Sequence, residues 1–306
     1  MKFYAEPGRR AGRLWHVLHF PLVRIILASL VLLIGVTGVQ SLVIRPLRAA
    51  TSLSDPAALG WLALYLASSL LVAFGIYYTY VRFVERRRAD ELSISGAVRE
   101  LGAGGVIGGA LFATTLLLLW LLGYVPAPVA PGWTVVIAAV VFDVAGAVVE
   151  ELLLRGILFR IAEESVGTWV ALAVSVLIFG GLYALDADAP LAVVVVVGLG
   201  GGLLPGAAYA RTRRLWLPIG IHAGLDLVQD ITFGMTKAGH QVPGALPAPL
   251  VGPPLLTGGS LGPQGSIVAL VVVLAVSIYL LARAVQHGLI VRPFWRRMRQ
   301  APPAIA

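Results

Sequence analysis

Cysteine is absent from this 306-residue chain, which excludes disulfides and thiolate metal sites. Charged residues are also scarce, at 12% of the chain, whereas an average soluble domain has about a quarter. Hydrophobic residues make up 58%, and the mean hydropathy is +0.90. Such a chain needs lipid as its solvent. We therefore expect one membrane domain rather than the two soluble domains that the length would allow.

Lysine is almost absent as well, since Lys2 and Lys237 are the only two in a chain of net charge +8. The basic residues are nearly all arginines in short clusters between apolar runs, as membrane topology requires. Binding of nucleic acid is therefore not expected. The arginine excess, with many Ala, Val, Gly and Leu residues, indicates a GC-rich bacterial genome. We expect a multi-pass protein of the bacterial plasma membrane, with the lipid bilayer as a partner.

Apolar runs of about 20 residues, long enough to cross a hydrocarbon core of about 30 Å, recur along the sequence. They predict an all-α integral membrane protein with about eight transmembrane helices. The predicted spans are 25–44, 57–81, 101–125, 133–160, 168–185, 190–210, 215–235 and 266–284. If the N-terminus lies inside, only Arg45, Arg48 and Lys237 fall outside, which predicts that both termini are cytoplasmic.

The same pattern divides the chain into five segments. The segment rich in Gly and Pro cannot be a regular helix and is expected to be an outer loop that could cap a cavity. The segments are a basic cytoplasmic N-terminus (1–24), N-terminal transmembrane helices (25–130), core helices with the polar site (131–235), the outer loop (236–265), and the last transmembrane helix with a basic tail (266–306).

Two glutamates and an arginine stand together inside the fourth predicted span, as Glu150, Glu151 and Arg155. An ionisable group inside a span costs roughly 2.5–3.5 kcal/mol on insertion scales, so each is a functional hypothesis. Glu151 and Arg155 are four residues apart and can pair on one helix face. Glu150 points about 100° away, as a general base or metal ligand would. A plain buried ion-pair network is the alternative, and it explains Glu150 poorly.

The seventh predicted span carries His222 and Asp226, again four residues apart. This pair suits metal binding or the polarisation of a water, whereas a lone histidine more often hydrogen-bonds between helices. Tyr183 is expected to hydrogen-bond inward or to lie in an aromatic belt. Asp143, two helical turns before Glu150, is expected to form a second polar wall or to pair with another group.

With these residues the chain resembles the CPBP family of intramembrane proteases, which includes type II CAAX prenyl endopeptidases and bacteriocin-immunity (Abi-like) relatives. The family pattern is Glu-Glu-x-x-x-Arg, then Phe-x-x-x-His, then His-x-x-x-Asn or Asp. Glu150, Glu151 and Arg155 match the first motif, and His222 and Asp226 match the third. The resemblance is strong over about residues 133–235.

The second motif departs from this pattern, because Phe179 is present but Tyr183 stands where the family has histidine. The resemblance implies a metallo-endopeptidase acting on a membrane-associated peptide or protein. In that reading Glu150 is the general base, His222 and Asp226 hold the water or a divalent metal such as zinc, and Tyr183 assists the oxyanion. Glu150 would be the third metal ligand. Glu151, Arg155, Phe179 and Asp143 would support these groups.

Two other interpretations stay open. Tyr183 motivates a catalytically impaired relative, a membrane scaffold or immunity-type protein that binds peptides or partner spans. The buried acids could also relay protons in a small transporter. The chain shows no repeated half with paired broken helices, which disfavours transport.

Overall fold

The computed structural model describes residues 20–50, 53, 55–184, 191–246, 250–259 and 262–298. Most of the predicted N-terminal segment 1–24 and the end of the basic tail lie outside these residues. Helices dominate the described part. They are α1 (Pro21–Ala49), α2 (Pro56–Thr79), α3 (Ala97–Leu121), α4 (Trp133–Glu151), α5 (Arg160–Val166), α6 (Thr168–Tyr183), α7 (Leu191–Gly198), α8 (Leu204–Thr212), α9 (Trp216–Phe233), α10 (Pro254–Thr257), α11 (Ile267–Gln286) and α12 (Phe294–Met298).

Each of the eight predicted spans coincides with helical structure. Among the described residues, five helical stretches are long and apolar enough to cross a membrane. They are Pro21–Ala49, Ala57–Val84, Ala97–Leu121, Leu191–Thr212 and Ile267–Gln286. The prediction of an all-α multi-pass membrane protein is confirmed. The number of eight spans and the cytoplasmic placement of both termini stay predictions.

Within the part of the chain that the structure describes, three helical stretches contain π-helical segments, in which the backbone hydrogen bonds span one more residue than in an α-helix. They are Tyr80–Val84 after α2, Leu152–Phe159 between α4 and α5, and Leu199–Leu203 between α7 and α8. The fourth predicted span is therefore one continuous helical rod, but eight residues near its end, Leu152–Phe159, are π-helical. Such segments are rare and occur frequently at functional sites.

Helices α3 and α9 approach each other closely because glycines line both faces of the contact. A Cβ at Gly104 would lie 2.5 Å from the carbonyl oxygen of Leu217, and a Cβ at Gly108 would collide with the backbone of Ile221. From the other side, a Cβ at Gly220 would collide with the backbone of α3. This contact fixes the depth and rotation of the helix that carries His222.

In its described residues, the predicted outer loop has short regular elements and no long helix. A two-stranded antiparallel hairpin, β1 (Met235–Lys237) and β2 (His240–Val242), follows α9 directly, with Thr236 opposite Gln241. Beyond it lie α10 and a 3₁₀ turn, Pro263–Gly265. Ser266 then caps α11 by accepting a hydrogen bond from the amide of Ala269 at 3.0 Å.

Candidate active site

The acidic pair lies where α4 gives way to the π-helical segment, with Glu151 as the last residue of α4. The Glu151 side chain is fully buried, whereas that of Glu150 is 51% exposed. Two adjacent carboxylates therefore have different surroundings. One is enclosed by protein, and the other is open to approach by a water or a substrate.

Glu151 forms the predicted ion pair with Arg155. Its Oε1 atom accepts a hydrogen bond from Arg155 Nη1 at 2.7 Å, and both side chains are fully buried. Arg155 Nη2 donates to the carbonyl of Gly201 and lies 3.3 Å from that of Gly202. Both carbonyls belong to the π-helical segment between α7 and α8. The guanidinium thus ties the end of α4 to a second irregular helix.

His222 links this pair to Glu150. Its Nδ1 atom lies 2.8 Å from Glu151 Oε1, the oxygen that already accepts from Arg155. Because this oxygen acts as an acceptor towards Arg155, we assign the Nδ1 proton as the donor in its contact with His222. The Nε2 atom then faces away, 3.3 Å from Asp226 Oδ2 and 3.7 Å from Glu150 Oε2.

Glu150, His222 and Asp226 open into a cavity of about 140 Å³. Tyr183 and Phe179 from α6 also line it, and their rings stack with centroids 5.5 Å apart. The remaining walls are mostly apolar. They include Leu111, Phe112, Val197, Gly200, Pro205, Leu225 and Val273. The structure thus brings residues from all three sequence motifs to one cavity.

Phe179 reaches the cavity because the neighbouring helix has no side chain in its path. A Cβ at Gly201 would collide with the Phe179 ring. A Cβ at Gly198 would lie 3.0 Å from the Cα of Gly180, so α6 and α7 also pack through glycine. The sequence predicted that Tyr183 either points inward or lies in an aromatic belt. The Tyr183 side chain lines the cavity, so it points inward.

Asp143 does not line this cavity, and only 5% of its surface is exposed. Its carboxyl lies against that of Asp230, one turn beyond Asp226 on α9. The two turns between Asp143 and Glu150 amount to about 10 Å along α4, which carries Asp143 past the cavity. Of the two expectations, a second polar wall and a pairing, the structure has the pairing.

Three polar cavity residues were missed by the sequence reasoning: Thr115, Gln229 and Gln264. Gln229 follows His222 by seven residues and so shares its helix face, a spacing that could have revealed it. The Thr115 hydroxyl donates to the carbonyl of Leu111 at 3.0 Å. Gln264 comes from the outer loop, where no periodicity signals its position.

A second buried polar cluster joins the ends of α1, α2 and α5. Glu85 accepts hydrogen bonds from Arg160 Nη2 at 2.8 Å, from Arg87 Nε at 2.8 Å, and from Arg24. Burial raises the pKa of Glu85, but the attraction of these three arginines outweighs burial and lowers the pKa to about 2. No local spacing in the sequence reveals this cluster, because Arg24 and Arg160 lie 61 and 75 positions from Glu85.

This cluster reaches the site helix through one tyrosine. The Tyr77 hydroxyl contacts Glu91 at 2.5 Å and the carbonyl of Gly156 at 3.0 Å. Gly156 lies in the π-helical segment that follows the acidic pair, and a Cβ there would lie 2.7 Å from the Tyr77 ring. Glycine at this position therefore allows α2 to support the segment that positions Glu151 and Arg155.

The spacing of the donor atoms shows whether a divalent ion would fit. Two ligands of a tetrahedral zinc ion, each about 2.0–2.1 Å from the metal, lie roughly 3.3–3.4 Å apart. His222 Nε2 is 3.3 Å from Asp226 Oδ2 and 3.7 Å from Glu150 Oε2, which is close to this value. The contact of Nδ1 with Glu151 is typical of metal-binding histidines. The described residues contain no preassembled group of three or more such ligands, but these pairwise spacings fit.

The fold and this cavity together define a helical multi-pass membrane protein with a Glu–His–Asp site between its helices. Residues 131–228 match the model of the family described as Type II CAAX prenyl endopeptidase Rce1-like. The matched segment, about a third of the chain, is similar to that family over the region that contains the three motifs. The matched segment contains every predicted site residue. No curated protein and no solved structure matches the chain.

Proposed function

We propose that this protein is an intramembrane endopeptidase that hydrolyses a peptide bond with a water activated by Glu150. The observation that carries the proposal is the orientation of His222. Glu151 holds its Nδ1 atom at 2.8 Å, so that Nε2 points into the cavity beside Glu150 and Asp226. The 3.7 Å gap between His222 Nε2 and Glu150 Oε2 exceeds a hydrogen bond, and one water can contact both atoms.

The reaction follows from these positions. Glu150 takes a proton from the water, whose oxygen adds to the peptide carbonyl carbon, and the carbonyl oxygen becomes an oxyanion. Glu150 then passes the proton to the amide nitrogen as the carbon–nitrogen bond breaks, which leaves a carboxyl group and an amine. His222 and Asp226 orient the water. The Tyr183 hydroxyl is the proposed donor to the oxyanion.

Glu151 and Arg155 have a positioning role in this scheme. Neither lines the cavity, and both are fully buried. Together they fix the rotation of His222 and connect it to the Gly201 carbonyl on the opposite wall. The apolar walls exclude bulk water, which strengthens each electrostatic contact inside the cavity.

A divalent ion such as zinc is a second part of the proposal, with Glu150, His222 and Asp226 as ligands. When bound, it would polarise the substrate carbonyl and lower the pKa of a coordinated water. Metal content is measured on the purified protein by elemental mass spectrometry. We expect His222→Ala to lose the metal, and a metal-free wild-type protein would refute this part alone.

The substrate class follows from the cavity. Its walls are mainly apolar, and Thr115, Gln229 and Gln264 offer hydrogen-bonding groups for a peptide backbone. We propose an extended segment of a membrane-associated peptide or protein as substrate. The bacterial plasma membrane remains the predicted location.

The test uses purified protein in liposomes with a mixture of solubilised bacterial membrane proteins, in water enriched in ¹⁸O. New carboxyl termini carrying ¹⁸O are identified by mass spectrometry. We expect cleavage by the wild type and a loss of about 10²-fold or more in Glu150→Gln. The matched control is Asp90→Asn, an exposed carboxylate outside the cavity, which should keep the activity. Equal cleavage by Glu150→Gln and the wild type would refute the mechanism.

The position of Tyr183 supports a second candidate, a membrane scaffold that binds peptide segments without cutting them. Tyr183 stacks on Phe179 and lines the cavity where the family pattern has a histidine. A Cβ at Gly200 meets no atom within 4 Å, so Gly200→Leu would fill the cavity without disturbing the helices. A scaffold would bind peptide equally well in Glu150→Gln and lose binding in Gly200→Leu, with no cleavage by any variant.

A further inference from the structure

A groove between α1 and α2 lies outside the proposed active site. It has a volume of about 690 Å³ and is lined mainly by apolar residues, including Leu27, Val31, Ile76 and Phe83. Leu27 and Val31 are more than two-fifths exposed, and Phe83 is 70% exposed. We call this feature the α1–α2 groove.

A polar pocket adjoins the groove at one end. It has a volume of about 460 Å³, and its lining includes Tyr78 and Asp90 together with four arginines of the turn that follows α2. Arg86 lines both the pocket and the groove. Its backbone has φ +54°, a left-handed conformation that is uncommon for residues other than glycine. The turn thus places guanidinium groups at one end of the α1–α2 groove.

Three of the four arginines are not committed to acidic residues. Arg87 pairs with Glu85 at 2.8 Å and with Glu91 at 2.6 Å. Among the described residues no ion pair engages the three others, which are exposed and which we call the arginine turn: Arg82, Arg86 and Arg88. Asp90 is the one carboxylate in this pocket, so positive charge is in excess.

The length of the groove distinguishes between possible occupants. Along α1 the lining runs from Arg24 to Val31, about 10 Å, and along α2 and the π-helical segment that follows it from Gly75 to Val84, about 13 Å. One leaflet of the hydrocarbon core is about 15 Å thick, half of the roughly 30 Å total. The groove therefore suits an acyl chain from one leaflet, whereas a transmembrane helix of a partner would need the full thickness.

We propose that the α1–α2 groove and the arginine turn form a binding site for one anionic phospholipid. The acyl chain occupies the groove, and the phosphate lies against Arg82, Arg86 and Arg88. Basic pockets between transmembrane helices bind anionic headgroups by the same combination of apolar contact and charge. A second copy of this chain docked symmetrically would bring its own arginines to this face, where like charges repel.

The site also touches the buried ion-pair cluster. Arg24 lines the groove and donates to Glu85 and to Glu164, the latter at 3.1 Å. A lipid bound here covers the side of the cluster that supports α5. Bound phospholipid should therefore stabilise the folded protein, because it binds only that state.

The experiment measures lipid retention by native mass spectrometry on the full-length protein, with phosphatidylglycerol or phosphatidylcholine supplied in micelles. We expect the wild type to retain one phosphatidylglycerol in preference to phosphatidylcholine. The R82Q/R86Q/R88Q variant should bind phosphatidylglycerol at least about tenfold more weakly, as three headgroup contacts are lost. The matched control, R45Q/R48Q/R99Q, removes the same charge from other exposed positions and should bind like the wild type.

A second variant tests the apolar part without changing charge. A Cβ at Gly75 meets no atom within 4 Å, so Gly75→Leu fills the groove without displacing a helix. We expect Gly75→Leu to lose retention of phosphatidylglycerol, while Gly38→Leu, which also has open space around its Cβ, keeps it. Circular dichroism verifies that both variants are folded.

Several outcomes would overturn the proposal. They are unchanged binding in the arginine variant, an equal loss in its control, and unchanged binding in Gly75→Leu. Displacement of the lipid by millimolar glycerol phosphate would indicate a site for free phosphate instead. A dimer whose interface covers Phe83, detected by cross-linking, would assign the groove to a second copy of the chain.

Discussion

Loss of charge at the two glutamates of the acidic pair should change the stability of the folded protein by very different amounts. In Glu151→Gln, Arg155 keeps its charge but loses the one ion-pair partner that it has among the described residues, at a site where both side chains are fully buried. Leaving one member of a buried ion pair uncompensated costs about 3–5 kcal/mol. For a chain of this size that corresponds to a fall in Tm of roughly 5–8 °C.

Glu150→Gln should leave stability almost unchanged. The Glu150 side chain is half exposed, and its nearest charged partner is 3.7 Å away. Removal of such a carboxylate changes stability by about 0.5 kcal/mol or less. The two variants differ by one position and remove the same charge, so each is the control for the other.

The assay is thermal unfolding in one detergent, followed by circular dichroism, with the double variant E151Q/R155M as a third sample. The double variant should be more stable than Glu151→Gln alone, because it removes the uncompensated guanidinium. A Glu151→Gln protein as stable as the wild type would refute the assignment of Glu151 as a support. The same would follow if Glu150→Gln had the larger effect.

Three further predictions concern other parts of the molecule. The folded-state pKa of Glu85, about 2, lies below the ordinary value of about 4.3, so its ion pairs stabilise the protein above that value and are lost as the pH falls towards 2. The Tm difference between wild type and Glu85→Gln should therefore shrink between pH 5 and 2 in a thermal-unfolding series, and a difference constant with pH would contradict the pairing. Gly104→Ala should destabilise the protein by about 1–3 kcal/mol, because the new Cβ would lie 2.5 Å from a backbone oxygen of α9. Gly102→Ala in the same helix has open space around its Cβ and should be neutral or slightly stabilising. Equal Tm values for the two variants would contradict the close approach of α3 and α9. Tyr183→Phe should keep the stacking on Phe179, and hence the Tm, while cleavage falls if the hydroxyl donates to the oxyanion; unchanged cleavage would remove Tyr183 from the mechanism.

Local spacing made the pairs within single helices predictable. Glu151 with Arg155 and His222 with Asp226 are separated by four residues, and helix geometry alone places such residues on one face. The scarcity of charge and the long apolar runs likewise predicted the helical membrane fold. Each predicted span coincides with helical structure. The π-helical segments within some of these helices could not be predicted from hydropathy.

The periodicity of the sequence does not predict which residues on different helices come into contact. The approach of His222 to Glu151 joins residues 71 positions apart. It depends on the glycine contact between α3 and α9 and on the hydrogen bond from Arg155 to the Gly201 carbonyl. The pairing of Glu85 with Arg24 and Arg160 is likewise set by packing. The sequence shows clusters of arginines, but it does not show which of them pair with acidic residues.

The sequence by itself determined that the chain is a helical membrane protein, that an acidic pair lies within one of its apolar helices, and that its motifs resemble those of a protease family. These properties depend on composition and on spacing within a helix, which are local. Only the tertiary structure decided that Glu151 holds His222 and that Glu150 faces a cavity. It also turned Asp143 towards Asp230 and placed three arginines, which form no ion pair with any described residue, beside an apolar groove. Those outcomes depend on how closely separate helices approach, and that distance is set by the glycines and carbonyls between them.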